Sequence, residues 1–244
     1  MNLGAKLDSA LIKLRKPSAK LALRALRRNG FSPRSILDIG AYKGKWAATV
    51  MHIYPDARFL MIEAQEHMRP RLEELVRQHP DRLVAVIALL GDAARRSVDF
   101  NLMEKGSSIF PEMTAAPRNR TTLPMRTCDE VVAESEFRSF DLIKLDVQGA
   151  ELAVLQGASR ILAKAQFVFM EVSVLPYNEG APSFAEIVRY MDERDFVLFD
   201  VVGMMRDPMD VLSQCDLLFI RKDAAIRKQR IEEQLLRYAA DNSN

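Results

Sequence analysis

Ser35–Ile36–Leu37–Asp38–Ile39–Gly40–Ala41–Tyr42–Lys43–Gly44 reads as a short apolar strand that breaks on two glycines, with Asp38 just before the break. Lys45–Trp46–Ala47–Ala48–Thr49–Val50 follows as the opening of a helix. Strand, glycine turn, helix is the first unit of a nucleotide-binding α/β domain. The turn needs glycine because its backbone bends sharply and must let a ligand approach without a Cβ in the way. The helix start then offers unpaired N–H groups and a positive dipole end.

Working outward, Arg58–Ile62 is a second strand ending at Glu63, Pro70–Gln78 is a helix, and Leu83–Ala88 is a third strand. The third strand's unbroken apolar run predicts burial on both faces of a parallel sheet. Between 95 and 127 the rhythm changes. Ser97–Leu102 alternates, Gly106–Ser107–Ser108 opens a loop, and Thr122–Thr127 returns with a proline that suits an edge strand. This predicts an inserted hairpin whose loop serves as a lid or substrate loop. A short helix spans Asp129–Glu136. Phe140–Asp146 and Phe167–Val172 are the fourth and fifth strands, with helices from Glu151 to Ala163 between them. After a helix at Ser183–Arg194, strands at Phe196–Val202 and Cys215–Ile220 form an antiparallel pair, and Asp223–Tyr238 is a charged helix. The fold expected is α/β: a doubly wound, mostly parallel sheet with a terminal antiparallel strand pair. The domain organisation expected is a helical extension over 1–30, the α/β domain over 31–222, and a helical tail over 223–244.

Composition narrows the function classes. The chain has 244 residues, a net charge of +2, and two cysteines, Cys128 and Cys215. That charge does not argue for a nucleic-acid partner. Two cysteines make neither a disulfide framework nor a zinc site, and they fit a reducing cytoplasm. The longest apolar run, Leu83–Leu90, is far short of the ~20 residues of a spanning helix, so no stable membrane insertion is expected. The first thirty residues are lopsided: Lys6, Lys13, Arg15, Lys16, Lys20, Arg24, Arg27 and Arg28 face only Asp8. Leucines between them suggest amphipathic helices broken at Pro17. These read as a cap on the sheet with a solvated basic face; a membrane-surface or anionic-substrate role is the sharper alternative.

Three ligands compete for the Asp38–Gly44 turn. A P-loop fails because Gly44–Lys45 is followed by Trp46 rather than Ser or Thr. A dinucleotide fingerprint lacks glycine at Tyr42 and Lys45. S-adenosylmethionine carries an amino-acid end, which suits a tight loop with an acidic residue nearby. Asp38, Gly40, Ala41 and Gly44 supply the loop, and Glu63 can accept from both ribose hydroxyls. Ala88 and Asp92, ending the third strand, are the adenine candidates; Asp92 reads equally well as a solvated turn residue.

In Ile143–Lys144–Leu145–Asp146–Val147–Gln148–Gly149–Ala150–Glu151, Lys144 and Asp146 share one face of a strand. A lysine buried there needs a partner. A structural ion pair and a polar site facing the methyl donor are both open readings. Glu171 ends the neighbouring strand and can approach the same cleft. Glu151 sits in a first helical turn, where capping suits it. His52, His67 and His79 fall near the early helices, away from this cleft. Tyr177, Asn178 and Ser107–Ser108 are weaker candidates for an acceptor pocket. Asp146 and Glu171 are the two visible candidates for holding Mg²⁺, too few to favour a metal.

This stretch, with Leu155–Gln156–Gly157–Ala158 ending its helix, resembles the FkbM-type S-adenosylmethionine-dependent methyltransferases. Asp38–Ile39–Gly40–Ala41 with Gly44, Asp141, Glu171 in Phe169–Met170–Glu171–Val172, and Cys215–Asp216–Leu217–Leu218–Phe219 also fit that family. A departure is Glu63–Ala64, where the family pattern has Glu–Pro. The resemblance implies a Rossmann-like class I methyltransferase fold. It also implies methyl transfer from S-adenosylmethionine, with a hydroxyl on a sugar or secondary metabolite as acceptor. The catalytic candidates are then Asp146, Lys144 and Glu171. The alternatives are a catalytically silent S-adenosylmethionine-binding module and a nicotinamide oxidoreductase, which the glycine spacing disfavours. The expected partner is a small-molecule or saccharide acceptor, with the oligomeric state left open.

Overall fold

The computed structural model describes residues 17–103, 106–111, 119–175 and 178–241. The amphipathic helix expected before Pro17 and the pocket candidate Tyr177 lie outside them. In chain order the elements are α1 (Ala19–Arg28), β1 (Ser35–Ile39), α2 (Lys45–Met51), β2 (Arg58–Glu63), α3 (Arg69–Gln78), β3 (Leu83–Ile87), β4 (Leu89–Leu90), β5 (Arg95–Leu102) and β6 (Asn119–Arg126). They continue as α4 (Cys128–Ala133), β7 (Leu142–Leu145), α5 (Glu151–Gln156), α6 (Ser159–Leu162), β8 (Phe167–Ser173), α7 (Phe184–Asp192), β9 (Phe196–Arg206), β10 (Leu212–Arg221) and α8 (Ala225–Asp241).

Seven strands form one sheet in the order β3-β2-β1-β7-β8-β10-β9. The pairs from β3 to β8 are parallel; β10 runs antiparallel to both β8 and β9. The expected mostly parallel, doubly wound sheet with a terminal antiparallel pair is therefore present. The order reverses between β1 and β7, and at such a switch point the strand ends splay and leave a crevice for a ligand.

Alternation along the strands splits the core into two layers. Leu37 and Ile39 of β1 face one way, with Ile143, Leu145, Val168 and Met170, against α4 to α7. Ile36 faces the other way, with Phe59, Met61, Leu142 and Phe167, against α1 to α3 and the start of α8. Both layers are apolar because a parallel sheet is covered on both faces. Thr127 and Ser183 close capping boxes with Glu130 and Glu186, which fixes where α4 and α7 begin.

Two local expectations are corrected. β3 is an edge strand, and only Leu83 of it is fully buried. Its apolar run does not continue across the sheet, because the chain leaves β2 at Ala88 and Leu89–Leu90 pair with β6 instead. The terminal hairpin is also longer than its apolar runs. Gly203–Arg206 extends β9, and the turn is tightened by Asp207 Oδ1, which accepts from the N–H groups of Met209 and Val211 at 2.9 Å each. Between 95 and 126, β5 and β6 pair antiparallel, and β4 joins β6 to make a separate three-stranded sheet.

Candidate functional site

The site is built first from backbone. Gly40, at φ +74°, ends β1 where the chain passes so close to β7 that a Cβ would sit 1.9 Å from the Asp146 carbonyl oxygen. Only glycine fits that contact. Tyr42 is also left-handed, at φ 48°, and Gly44, at φ +69°, caps α2 against Leu75.

Glu63 ties this turn to β2. Its Oε2 accepts from the Tyr42 N–H at 2.7 Å and its Oε1 from the Gln65 N–H at 2.9 Å. The side chain is buried, yet it borders a cavity of about 300 Å³ at the carboxyl ends of β1, β2 and β7. The size matches the lower end of small-molecule sites. Gly40, Tyr42, Ala88, Asp146, Val147 and Gln148 line the cavity from the main sheet. Phe100 and the Gly106–Ile109 turn line it from the inserted sheet. That turn is anchored rather than free: Ser108 Oγ donates to the Gln148 carbonyl at 2.7 Å, as does Asn178 Nδ2 at 2.8 Å.

Beneath the cavity lies a buried ion pair. Asp38 and Lys144 are register partners on β1 and β7, with Nζ and Oδ1 3.1 Å apart and both residues almost fully buried. Lys144 also donates to the carbonyls of Gly40 (2.9 Å) and Ile39 (3.3 Å) and lies 3.7 Å from Asp146. Burial pushes the ammonium's pKa down, and the carboxylates of Asp38 and Asp146 push it further up, so its net direction is upward. Burial also raises Asp38, against the pull of Lys144. A charged ammonium fits this arrangement, because three acceptors surround it where no water can.

A side-chain chain then leads away from the cavity. Gln148 Nε2 donates to Asp146 and to Glu171, each at 2.8 Å, and Gln214 donates to the same Glu171 oxygen. Burial first, then the charges of Asp146 and Asp216, push the Glu171 carboxyl up to about 8. Burial and then the charge of Asp146 also raise Asp216, against the pull of Lys144. Glu151 accepts from the N–H groups of Val147 (3.1 Å) and Gly149 (3.2 Å), holding the turn before its own helix; burial lifts it to about 7.

Of the residues singled out in sequence, Gly40, Glu63, Ala88 and Asp146 border the cavity. Asp38, Ala41, Gly44, Lys144 and Glu171 lie beneath or behind it. Asp92 is exposed and held by Arg95 through bonds of 2.7 and 2.9 Å, outside the cavity lining. Ser107 and Ser108 line the cavity, Asn178 supports it through Gln148, and the three histidines are not part of it. Sequence reasoning missed Gln148, whose signal was a polar residue between two acids just before Gly149. It also missed Phe100 and Ile109, which carry no such signal. Among the described residues no group of three or more His, Cys, Asp or Glu side chains is arranged to hold a metal ion.

Comparison with known proteins gives this geometry a context. The model of the methyltransferase FkbM domain matches residues 38–198, more than half of the chain. The 2-O-methyltransferase NoeI of Sinorhizobium fredii (strain NBRC 101917 / NGR234) is 24% identical over 159 residues, which span 59% of this chain and 65% of that protein. This chain therefore spans less than two thirds of that relative's length. The crystal structure of Methyltransferase FkbM from Methylobacillus flagellatus KT superposes with a TM-score of 0.51 at 17% identity, covering 77% of this chain and 43% of that one. At that identity the likeness is one of fold, the class I methyltransferase fold. The matched stretch starts at the buried Asp38 of β1, takes in the Gly40 turn, Glu63 and the Lys144–Gly149 segment, and ends in β9, so the chain belongs to the FkbM methyltransferase family.

Proposed function

We propose that the protein transfers a methyl group from S-adenosylmethionine to a hydroxyl of a sugar or secondary metabolite. The observation that carries this reading is Glu63. A carboxylate held by two backbone N–H groups, beside a glycine-only turn, keeps lone pairs free for a ribose. The residues present fit the cofactor. Gly40 leaves room for a close approach, Glu63 would hold the ribose, and Ala88 with Leu89 offers an apolar wall for a base. When bound, that cofactor supplies a methyl group on a positively charged sulfur.

The remaining steps belong to the chain. Asp146 is the cavity carboxylate on the β7 side, and its role is to orient the acceptor hydroxyl and take its proton. Lys144 does not reach the cavity; it fixes the Gly40 carbonyl and Asp146 in place. Glu171, behind Gln148, sets the direction of the Gln148 amide and thereby of Asp146. The inserted Gly106–Ile109 turn walls the cavity from water. The name of the 24%-identical relative supports oxygen as the methyl acceptor.

Calorimetry with S-adenosylhomocysteine tests the cofactor half. Micromolar binding is expected for the native chain, and a loss of about 100-fold or more for Glu63→Ala. Equal affinity in both would overturn the assignment of the cavity. A labelled-methyl assay against fractionated cell extract tests the transfer half; binding without any transfer, across acceptors and with added Mg²⁺, would leave a silent binding module.

A further inference from the structure

Gln65 stands two residues past Glu63, where the chain leaves β2. Its backbone is pinned on both sides. The N–H donates to Glu63 Oε1 at 2.9 Å, and the carbonyl accepts from the Met68 N–H at 3.0 Å. The residue is only 5% exposed and lines the cavity. Its side-chain carboxamide nevertheless makes no hydrogen bond among the described residues, and the buried Oε1 is unpaired. Buried amides are as a rule bonded, because an unpaired one has given up water for nothing. The Tyr42 phenol, another polar group of the same lining, is unpaired as well, so the two do not serve each other.

Position in the sheet decides which end of a ligand meets this amide. Glu63 and Ile87 are register partners on β2 and β3, and the Ala88 N–H donates to the Glu63 carbonyl at 2.8 Å. Ala64–Gln65 and Ala88–Leu89 therefore leave the sheet from neighbouring strand ends. Asp146 follows β7, two strands away from β2. With a ribose on Glu63 and the methyl group toward Asp146, the part of the cofactor left for Gln65 and Ala88 is the base.

We infer that the Gln65 carboxamide reads the adenine, its carbonyl accepting from the 6-amino group, an assignment that rests on the S-adenosylmethionine reading of the cavity. Adenine sets an amino donor beside a ring-nitrogen acceptor. A carboxamide sets an acceptor beside a donor, so the two meet in one plane through a pair of hydrogen bonds. The unbonded amide can make a half-turn about its last side-chain bond, which exchanges its oxygen and nitrogen without changing its shape. Asp92, the other carboxyl-end candidate for the base, is tied to Arg95 outside the lining. Gln65 needs no such release, since its backbone is already fixed and its amide already inside.

Calorimetry with two ligands tests this: S-adenosylhomocysteine, and its analogue with purine in place of adenine, which lacks only the 6-amino group. The native chain should bind the first about 10-fold more tightly. Gln65→Leu keeps the bulk and removes the amide. Its affinity for S-adenosylhomocysteine should fall about 10-fold, and the two ligands should then bind within about twofold of each other. Gln65→Asn draws the amide back by one methylene and should lose most of the preference with a smaller change in packing. Without ligand, the melting temperature of Gln65→Leu should hold or rise, because an unpaired buried amide is removed. A native chain that binds both ligands equally, or a preference unchanged in the two variants, overturns the inference and leaves the cofactor assignment standing. A native chain that binds neither ligand overturns both. A lowered melting temperature in ligand-free Gln65→Leu, with the preference kept in Gln65→Asn, makes Gln65 a packing residue and also overturns the inference.

Discussion

The two sides of the cavity are made of different materials. On the β1–β2 side the contacts are backbone ones: a glycine that cannot carry a Cβ, two N–H groups on Glu63, and a left-handed Tyr42. On the β7–β8–β10 side they are side-chain ones, running from Lys144 through Asp146, Gln148 and Glu171 to Gln214. A site fixed by backbone is rigid and tolerates few substitutions. A site fixed by side chains can be retuned residue by residue. Substitutions on the first side should therefore act all at once, and those on the second by degrees.

The largest effect is expected at Gly40→Ala. The added Cβ meets the Asp146 carbonyl oxygen at 1.9 Å, and the residue needs φ +74°. Gly30→Ala is the control: φ is +90°, but nothing lies within 4 Å. The control should cost about 1 kcal/mol in urea unfolding and leave S-adenosylhomocysteine binding unchanged. Gly40→Ala should remove binding altogether and cost several kcal/mol, since β1 and β7 must part. If the two variants behaved alike, the close approach would not be what the turn is for.

Lys144→Met comes next and tests the joint between the two sides. It strands Asp38, which is fully buried, without its cation. Breaking such a pair costs about 3–5 kcal/mol. Asp38→Asn/Lys144→Met should recover most of that stability, because neither member is then left charged. A recovered stability with methyl transfer still lost would assign Lys144 a positioning role, holding Asp146 and the Gly40 carbonyl. Recovery of both would make the pair purely structural.

How much of this was readable follows the same division. Ser35–Gly44 announced the tight turn because only glycine spacing can describe one, and the strand-to-helix turn at Lys144–Gly149 was equally legible. The mostly parallel, doubly wound class followed from strand–helix alternation, whereas the strand order, with its reversal between β1 and β7, came only with the structure. The sequence reading could not see which side of a strand end faces solvent, so Asp38 and Lys144 could not be separated from the cavity wall by pattern alone. Gln148 was hidden because its partners, Asp146 and Glu171, come together only when β7 and β8 pair. The edge position of β3 escaped because an apolar run says that a strand is covered, not by what.

Glu171→Gln probes the side-chain half through pH. The folded chain holds this carboxyl up to about 8, from an ordinary 4.5, by burial and by the charges of Asp146 and Asp216. A raised acid keeps its proton in the folded chain where the unfolded chain has lost it. Its stability contribution is thus complete below 4.5 and is lost as pH rises toward 8. Glutamine keeps an acceptor for Gln148 and Gln214 and has nothing to titrate. The variant should gain melting temperature over the native chain as pH goes from 5 to 8.5, by roughly a few degrees. A residual slope should remain from Glu151, which titrates near 7. Parallel melting curves would mean that Glu171 is solvated rather than enclosed by its neighbours.

The smallest effect is expected at Asp92→Ala, and it sharpens where the backbone-built side ends. Asp92 is 38% exposed at its side chain and paired with the 47%-exposed Arg95. Arg95, acting mainly by hydrogen bonding, holds the Asp92 carboxyl below the usual carboxylate range. Solvent screens such a pair, so its loss should cost under ~1 kcal/mol. Since Asp92 is outside the cavity lining, S-adenosylhomocysteine affinity should stay within about twofold. A larger drop with an unchanged melting temperature would mean that Asp92 leaves Arg95 to meet the adenine amino group. The β1–β2 side would then contain one adjustable side chain after all, and specificity for the base would rest on a residue that Arg95 otherwise holds at the surface.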